Sequence, residues 1–146
     1  MDMINSILLV DDEDLFHLVF EDACSLLDIT LSLEGLTSAD EAAQLFKGWY
    51  ETGSKRRPEC IFVDLNIVGS TYDGIELIRK VNFEYGNGFV IGIISSSQDE
   101  EEQAKAISAG AQFWIIKSDD IEPRLEEFKS DYLGYKNRTA PFKVYK

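Results

Sequence analysis

The chain is poor in residues that would bring it to nucleic acid, to a membrane or to an oxidised framework. Its 146 residues hold 14 Lys and Arg against 27 Asp and Glu, a net charge of −13. That balance excludes general attraction to phosphate backbones, which reward clustered Lys and Arg. No apolar run approaches the roughly 20 residues a spanning helix needs. The stretch 1–6 lacks the basic segment and long apolar core of a secretory signal, so a cytoplasmic location is expected. There are two cysteines and one histidine. Cys24 and Cys60 have no neighbours suited to metal binding and read as buried small hydrophobes rather than a disulfide. Internal repeats and low-complexity stretches are also lacking, and the length suits one domain.

What the chain does have is acids placed at the ends of short apolar runs. Ile7-Leu8-Leu9-Val10 stops at Asp11-Asp12, and Cys60-Ile61-Phe62-Val63 stops at Asp64. Runs this short fit interior parallel strands rather than buried helices. Strand-like and helix-like segments alternate along the whole chain, which implies a parallel sheet with helices on both faces. Strands are expected at 6–10, 30–36, 60–64, 89–95 and 112–116. Helices are expected at 14–27, 38–50, 73–85, 97–110 and 123–132, giving five of each. Ser38 is a cap candidate, Ser97 with Glu100 has capping-box spacing, and Gly110 suits a left-handed helix end. A polar loop spans 51–58, and Asn87-Gly88 is a turn.

On the first helix the 100° step assigns Leu15, Leu18, Val19, Asp22, Ala23 and Leu26 to the core face. Phe16, Phe20, Cys24 and Leu27 flank it, either widening the buried arc or forming a kinase-docking strip. His17 falls opposite the core face, where a solvated or partner-facing role is expected. Asp99-Glu100-Glu101-Glu102 reads as a favourable acidic helix start. Residues 136–146 hold four of the basic residues and none of the acidic ones. This tail either docks on its own acidic domain or is a solvated end.

In open sheets of this type, function sits beyond the carboxyl ends of the strands. Asp11, Asp12, Asp64, Ser95 and Lys117 all fall there. Neighbouring carboxylates raise one another's pKa unless a cation neutralises them. A hard divalent ion fits such ligands and keeps places for a phosphoryl group, while an ionised Asp is a competent phosphoryl acceptor. Lys117 would balance the oxygens and Ser95 would donate a hydrogen bond to them.

With these residues assembled, the chain resembles a response-regulator receiver domain of two-component signalling, of the CheY-like fold. The likeness runs from about residue 4 to 127. It rests on Val10-Asp11-Asp12-Glu13, Val63-Asp64-Leu65, Asp73-Gly74-Ile75-Glu76-Leu77, Ala109-Gly110-Ala111 and Ile115-Ile116-Lys117. The resemblance implies a doubly wound α/β fold with a five-stranded parallel sheet in the order 2-1-3-4-5. It divides the chain into a receiver domain at 1–130 and a basic C-terminal extension at 131–146.

The same likeness implies that Asp64 is the phosphoacceptor. Mg²⁺ or Mn²⁺ would be held by Asp12, Asp64 and the backbone carbonyl of Asn66, with Asp11 acting through water. Lys117 and Ser95 would contact phosphoryl oxygens, and Ser95 with Trp114 would form the switch. The side chains of Asn66 and Ser97 would tune the lifetime of the phosphorylated state. Implied partners are a sensor histidine kinase or histidine phosphotransfer protein and a downstream target protein. A homodimer through the last strands and helices is compatible with the likeness. No direct nucleic-acid or membrane contact is implied, and no enzymatic activity beyond self-phosphorylation and self-dephosphorylation at Asp64. A longer regulator cut after Lys146 would fit too.

Several positions depart from the family pattern. Ser118 stands where proline usually follows the lysine. A cis bond there without proline would cost about 2.5–4 kcal/mol, so a trans bond or a strained one is open. The loop 66–72 lacks the usual proline and is about two residues longer, as is the loop before the third strand. Two other classes compete with the phosphoacceptor reading. One is a receiver-like module that binds partners without phosphorylation. The other is a metal-dependent phosphohydrolase with Asp64 as nucleophile, which would want a second acid where Asn66 stands.

Overall fold

The computed structural model describes residues 4–30, 32–53, 57–86 and 88–146. Six strands form one parallel sheet: β1 (Ile7–Val10), β2 (Leu33–Leu36), β3 (Cys60–Asp64), β4 (Val90–Ser95), β5 (Phe113–Ile116) and β6 (Lys143–Tyr145). Their order is β2-β1-β3-β4-β5-β6. Five helices connect them: α1 (Asp14–Leu26), α2 (Ala39–Thr52), α3 (Gly74–Tyr85), α4 (Glu100–Ala109) and α5 (Glu122–Lys136). The doubly wound arrangement follows the sequence. Every residue of β1, β3, β4 and β5 is buried, as strands covered by helices on both faces must be.

The core has two halves. Leu8, Val10, Ile61, Val63 and Trp114 face α2, α3 and α4, whereas Ile7, Leu9, Phe62, Phe113 and Ile115 face α1 and α5. The second half is aromatic. Phe113, Phe128 and Tyr135 pack with ring centroids 4.5–5.7 Å apart. Among the described residues no helix is long and apolar enough to cross a membrane. Cys24 and Cys60 are free and buried, as the sequence led one to expect. Burial, followed by Glu21, pushes the Cys24 thiol up to about 12, which makes it inert.

Several expectations are corrected here. The sheet has six strands rather than five, because the basic tail docks. Lys143, Val144 and Tyr145 pair with Phe113, Trp114 and Ile115 along the outer edge of β5. Four side-chain links hold the tail there: Tyr145 and Tyr135 join hydroxyls at 2.7 Å, Tyr145 donates to Asp131 at 2.8 Å, and Lys143 pairs with Glu127 and with Asp131, each at 3.1 Å. The last helix accordingly runs on to Lys136, since Tyr132 and Tyr135 are needed to receive it.

The buried face of α1 is Phe16, Phe20, Ala23 and Cys24, while Leu15, Leu18 and Leu26 are 63–74% exposed. The helix is apolar on two arcs, and the one bearing the large rings faces the core, where Phe20 meets Phe62 edge-on at 5.0 Å. A docking strip of Phe16, Phe20 and Cys24 is therefore ruled out by their burial. His17 is half-buried rather than solvated, and its Nε2 donates to the carbonyl of Asp11 at 2.7 Å.

The cap of α4 is Asp99, which accepts from Glu101 N–H at 2.8 Å, and not Ser97. Ser97 lies one step earlier, where its hydroxyl accepts from Asp99 N–H. A true capping box occurs instead at α3, between Asp73 and Glu76. Ser38 caps α2 and Gly110 ends α4 at φ 105, both as expected. Strand β2 begins later than expected, at Leu33, with Thr30 making only an isolated bridge to Ile4. Residues 54–56 of the polar loop and Asn87 of the turn lie outside the described residues.

Candidate functional site

Among the described residues, the buried polar side chains are Asp11, Asp64 and Ser95, and all three stand at the carboxyl edge of the sheet. Burying a polar group without compensation is costly, so a fold that concentrates them at one edge has a use for them there. Asp64 is the last residue of β3 and pairs in register with Ile94, which places Ser95 one step beyond it on β4. Asp11 extends β1 by donating its N–H to Leu36 at 2.9 Å. Lys117 leaves β5 by donating its N–H to the carbonyl of Ser95 at 2.8 Å.

Side chains converge from these four strand ends. Lys117 Nζ lies 2.8 Å from Asp11 Oδ2, 2.6 Å from Glu13 Oε1 and 3.6 Å from Asp64 Oδ2. It also sits over the Phe16 ring at 4.6 Å. Burial alone would pull the lysine's pKa down, but Asp11 and Glu13 outweigh it and hold the ammonium firmly charged. Asp11 Oδ1 accepts from Glu13 N–H at 2.8 Å, and Asp12 Oδ2 accepts from Val68 N–H at 3.3 Å.

Asp64 is the unsettled member. Burial first, then the charges of Asp11 and Asp12, raise its pKa to about 7 against the opposing pull of Lys117. One ammonium thus faces four carboxylates. Asp11, Asp12 and Asp64 each offer an oxygen, and these lie within 4.8 Å of one another. Asp11 Oδ2 is buried and accepts no hydrogen bond of adequate geometry, although Lys117 is close. An all-oxygen donor set with surplus negative charge fits a hard divalent cation.

The surrounding backbone is shaped to keep this edge open. Gly74 starts α3 directly behind Asp64, where a Cβ would run into the Asp64 carbonyl oxygen, and its N–H donates to Leu65 at 2.9 Å. The long loop without proline is tied to the start of α2 instead. Ser70 Oγ accepts from Ala39 N–H and Thr71 N–H donates to Asp40, both at 2.9 Å. Every peptide bond among the described residues is trans, Lys117-Ser118 included. Ser118 uses its hydroxyl to accept from Arg124 at 2.7 Å, fixing that loop to the first turn of α5.

The structure brings Asp11, Asp12, Asp64 and Lys117 together as the sequence suggested. Ser95 is at the edge, but its hydroxyl is engaged by Ser97 N–H at 3.1 Å. Ser97 also has its carbonyl taken, by Trp114 Nε1 at 3.1 Å. Trp114 itself is fully buried, on the strand that β6 pairs with. The Asn66 side chain is exposed just past β3, and Ser97 is half-buried. Sequence reasoning missed Glu13 as the nearest partner of Lys117, although an acid directly after the acidic pair was the signal for it.

Comparison with known proteins finds the same fold in solved structures. A two-component response regulator from Cytophaga hutchinsonii is similar at 24% identity, covering 90% of this chain and 98% of its own, with a TM-score of 0.77. The phosphorylated cyanobacterial phytochrome response regulator RcpA is similar at 19% identity, with 94% and 96% coverage and a TM-score of 0.72. The Mn²⁺-bound form of the response regulator Rcp1 is similar at 21% identity, with 88% and 94% coverage and a TM-score of 0.68. These likenesses show a shared fold. Among curated proteins no match was found. The family model for the response regulator receiver domain matches residues 7–127, which takes in all four strand ends of the site and every helix but the last turns of α5. On that match the chain belongs to the response regulator receiver domain family of two-component systems.

Proposed function

We propose that the protein is a phosphoacceptor that switches its protein-binding surface when Asp64 is phosphorylated by a partner histidine kinase or histidine phosphotransfer protein. The observation that carries this reading is the position of Asp64: buried at a strand end, within 3.6 Å of Lys117 and within 4.8 Å of Asp11 and Asp12. In the transfer, an Asp64 oxygen forms a bond to phosphorus as the donor's bond to phosphorus breaks, leaving an aspartyl phosphate. Asp12, Asp64 and the Asn66 carbonyl, with Asp11 through water, would hold a Mg²⁺ or Mn²⁺ ion, which would supply neutralisation of the phosphoryl oxygens.

Lys117 pairs with a phosphoryl oxygen from its position between Asp11 and Asp64. Ser95 gives up the Ser97 N–H and turns its hydroxyl to another. Releasing Ser97 frees the carbonyl that holds Trp114, so charge added at Asp64 is passed to β5 and α4 as a packing change. The side chains of Asn66 and Ser97 flank the approach of water and set the lifetime of the phosphorylated form. The protein acts in the cytoplasm, through a downstream target protein rather than through nucleic acid or a membrane, and is no enzyme beyond its own phosphorylation and dephosphorylation. Because β6 occupies the outer edge of β5, a homodimer through the last strands and helices uses β6 or the faces of α4 and α5.

The test is incubation with Mg²⁺ and acetyl phosphate followed by intact mass. One added phosphoryl group, absent in Asp64→Asn, supports the reading. No adduct from any donor supports an interaction module that works unphosphorylated, and rapid turnover of phosphomonoesters supports a hydrolase.

A further inference from the structure

The sheet has two outer strands, and they differ. β6 is tied down by the tyrosine and lysine contacts described above, whereas β2 has no strand on its outer side among the described residues. In its ladder with β1, the carbonyls of Ser32 and Leu36 point inward and accept from Ile7 and Asp11 N–H at 2.9 Å. Backbone polar groups alternate between the two edges of a parallel strand. The N–H and C=O of Leu33 and Gly35 therefore point outward, away from the sheet.

Side chains of β2 alternate in the orthogonal direction. Leu36 packs with the α2 half of the core and Leu33 with the α1 half. A groove runs beside the strand on each face: one of about 510 Å³ against α2, and one of about 280 Å³ against α1. Each has a leucine floor. The charged groups around the first are Glu34, Asp40 and Glu41, and around the second Asp14 and Glu21. Among the described residues neither groove contains Lys or Arg.

We propose that β2 is a docking edge for an extended basic segment of another protein, which adds as a further strand and lays alternate side chains into the two grooves. Main-chain hydrogen bonds to Leu33 and Gly35 give such a strand its affinity, and the flanking grooves give it specificity. The uniform acidity selects a Lys- or Arg-bearing strand and rejects an acidic one. It also works against a second copy of this chain pairing β2 to β2, because Glu34 would then meet like charge. The basic C-terminal segment of this chain is engaged as β6 and is not free to fill the edge, so the occupant proposed is a segment of a different protein.

The probe is an end-blocked heptapeptide of alternating Val and Lys, with a Val and Glu heptapeptide as control, measured against the full chain at low salt by amide hydrogen exchange. At saturation with the basic peptide, the Leu33 and Gly35 amides gain about tenfold or more in protection, while Glu34 and Leu36, already bonded to β1, change little. The double substitution Glu34→Lys with Glu41→Lys alters two exposed side chains and leaves the fold intact. It weakens the basic peptide about tenfold and narrows its advantage over the acidic one. Four results would overturn the proposal: no binding up to millimolar basic peptide, binding that leaves Leu33 and Gly35 unprotected, equal binding of the acidic peptide, or protection of the same amides that rises with protein concentration alone.

Discussion

Trp114 donates its indole N–H to the backbone carbonyl of Ser97 at 3.1 Å, and through Ser97 it is joined to the hydroxyl of Ser95. Ser97 N–H donates to Ser95 Oγ at 3.1 Å, so the hydroxyl, the loop and the indole form one chain of hydrogen bonds. With Trp114 fully buried, its expected response is a repacking between β4, β5 and β6 rather than a swing into solvent. Phosphorylation in a Trp49→Phe background, which leaves Trp114 as the single indole, is expected to change tryptophan emission as the mass adduct forms. Ser95→Ala is expected to take up the phosphoryl group yet lose most of that change. Full retention of the emission change in Ser95→Ala would break the proposed link.

The acid cluster makes a statement about stability. Asp64 has its pKa raised to about 7 by burial and then by Asp11, so as pH rises the unfolded chain ionises this carboxyl first. The folded state then binds more protons than the unfolded state, and its stability falls between about pH 4 and pH 7. Asp64→Asn removes that penalty. Without divalent cations it is expected to be more stable than the parent by about 1–3 kcal/mol at pH 8, with the gain vanishing near pH 4. Chemical denaturation at the two pH values measures both, and a gain of equal size at pH 4 would contradict the assignment.

Divalent cations should offset the same penalty. Mg²⁺ or Mn²⁺ is expected to raise the thermal midpoint of the parent, since any ligand of the folded state alone stabilises it by mass action. The rise should be largely lost in Asp12→Asn. Asp12 is half-buried and accepts from Val68 N–H, a bond its amide can keep, so the fold is preserved while the cation site is weakened. Scanning calorimetry with and without cation decides this, and an equal rise in both proteins would place the cation elsewhere.

Lys117→Gln leaves Asp11, which is fully buried, without its counter-charge. Loss of one partner of a buried pair is expected to cost about 2–4 kcal/mol and to abolish phosphoryl transfer. The double variant Lys117→Gln with Asp11→Asn should regain much of the stability and none of the transfer. A double variant that is no more stable than the single one would show that the pairing carries little energy.

Removal of residues 139–146 strips β6 from the edge of β5, uncovers Trp114 and leaves the Tyr135 hydroxyl without Tyr145. An expected loss of about 3–5 kcal/mol, with tryptophan emission shifted to the red, follows from opening that much apolar surface. Unchanged stability and emission would mean that the tail does not occupy the edge in solution.

The strand ends were legible because short apolar runs ending in carboxylates leave few alternatives, and Asp11, Asp12, Asp64 and Lys117 meet where that pattern points. The rest was hidden for identifiable reasons. On α1, leucines and phenylalanines occupy adjacent arcs, and periodicity cannot say which arc a sheet carrying Phe62 prefers. β6 is three residues long, too short for any alternation to show, and its docking depends on Tyr135 lying beyond the expected end of α5. Ser97 looked like a helix cap because Glu100 stands at the right spacing, but Asp99 is nearer the helix and takes that place. The role of the Ser97 backbone as the link from Ser95 to Trp114 has no sequence signal at all, since any residue supplies the same N–H and carbonyl.

The claim on which all of this rests is that Asp64 carries the phosphoryl group. After incubation with Mg²⁺ and acetyl phosphate, borohydride reduction converts an aspartyl phosphate into homoserine, which peptide mass spectrometry locates by residue. The expected result is homoserine at position 64 alone, with none formed when the donor is omitted. Homoserine at Asp11 or Asp12 in place of Asp64, or no homoserine in a protein that shows the mass adduct, would contradict the account.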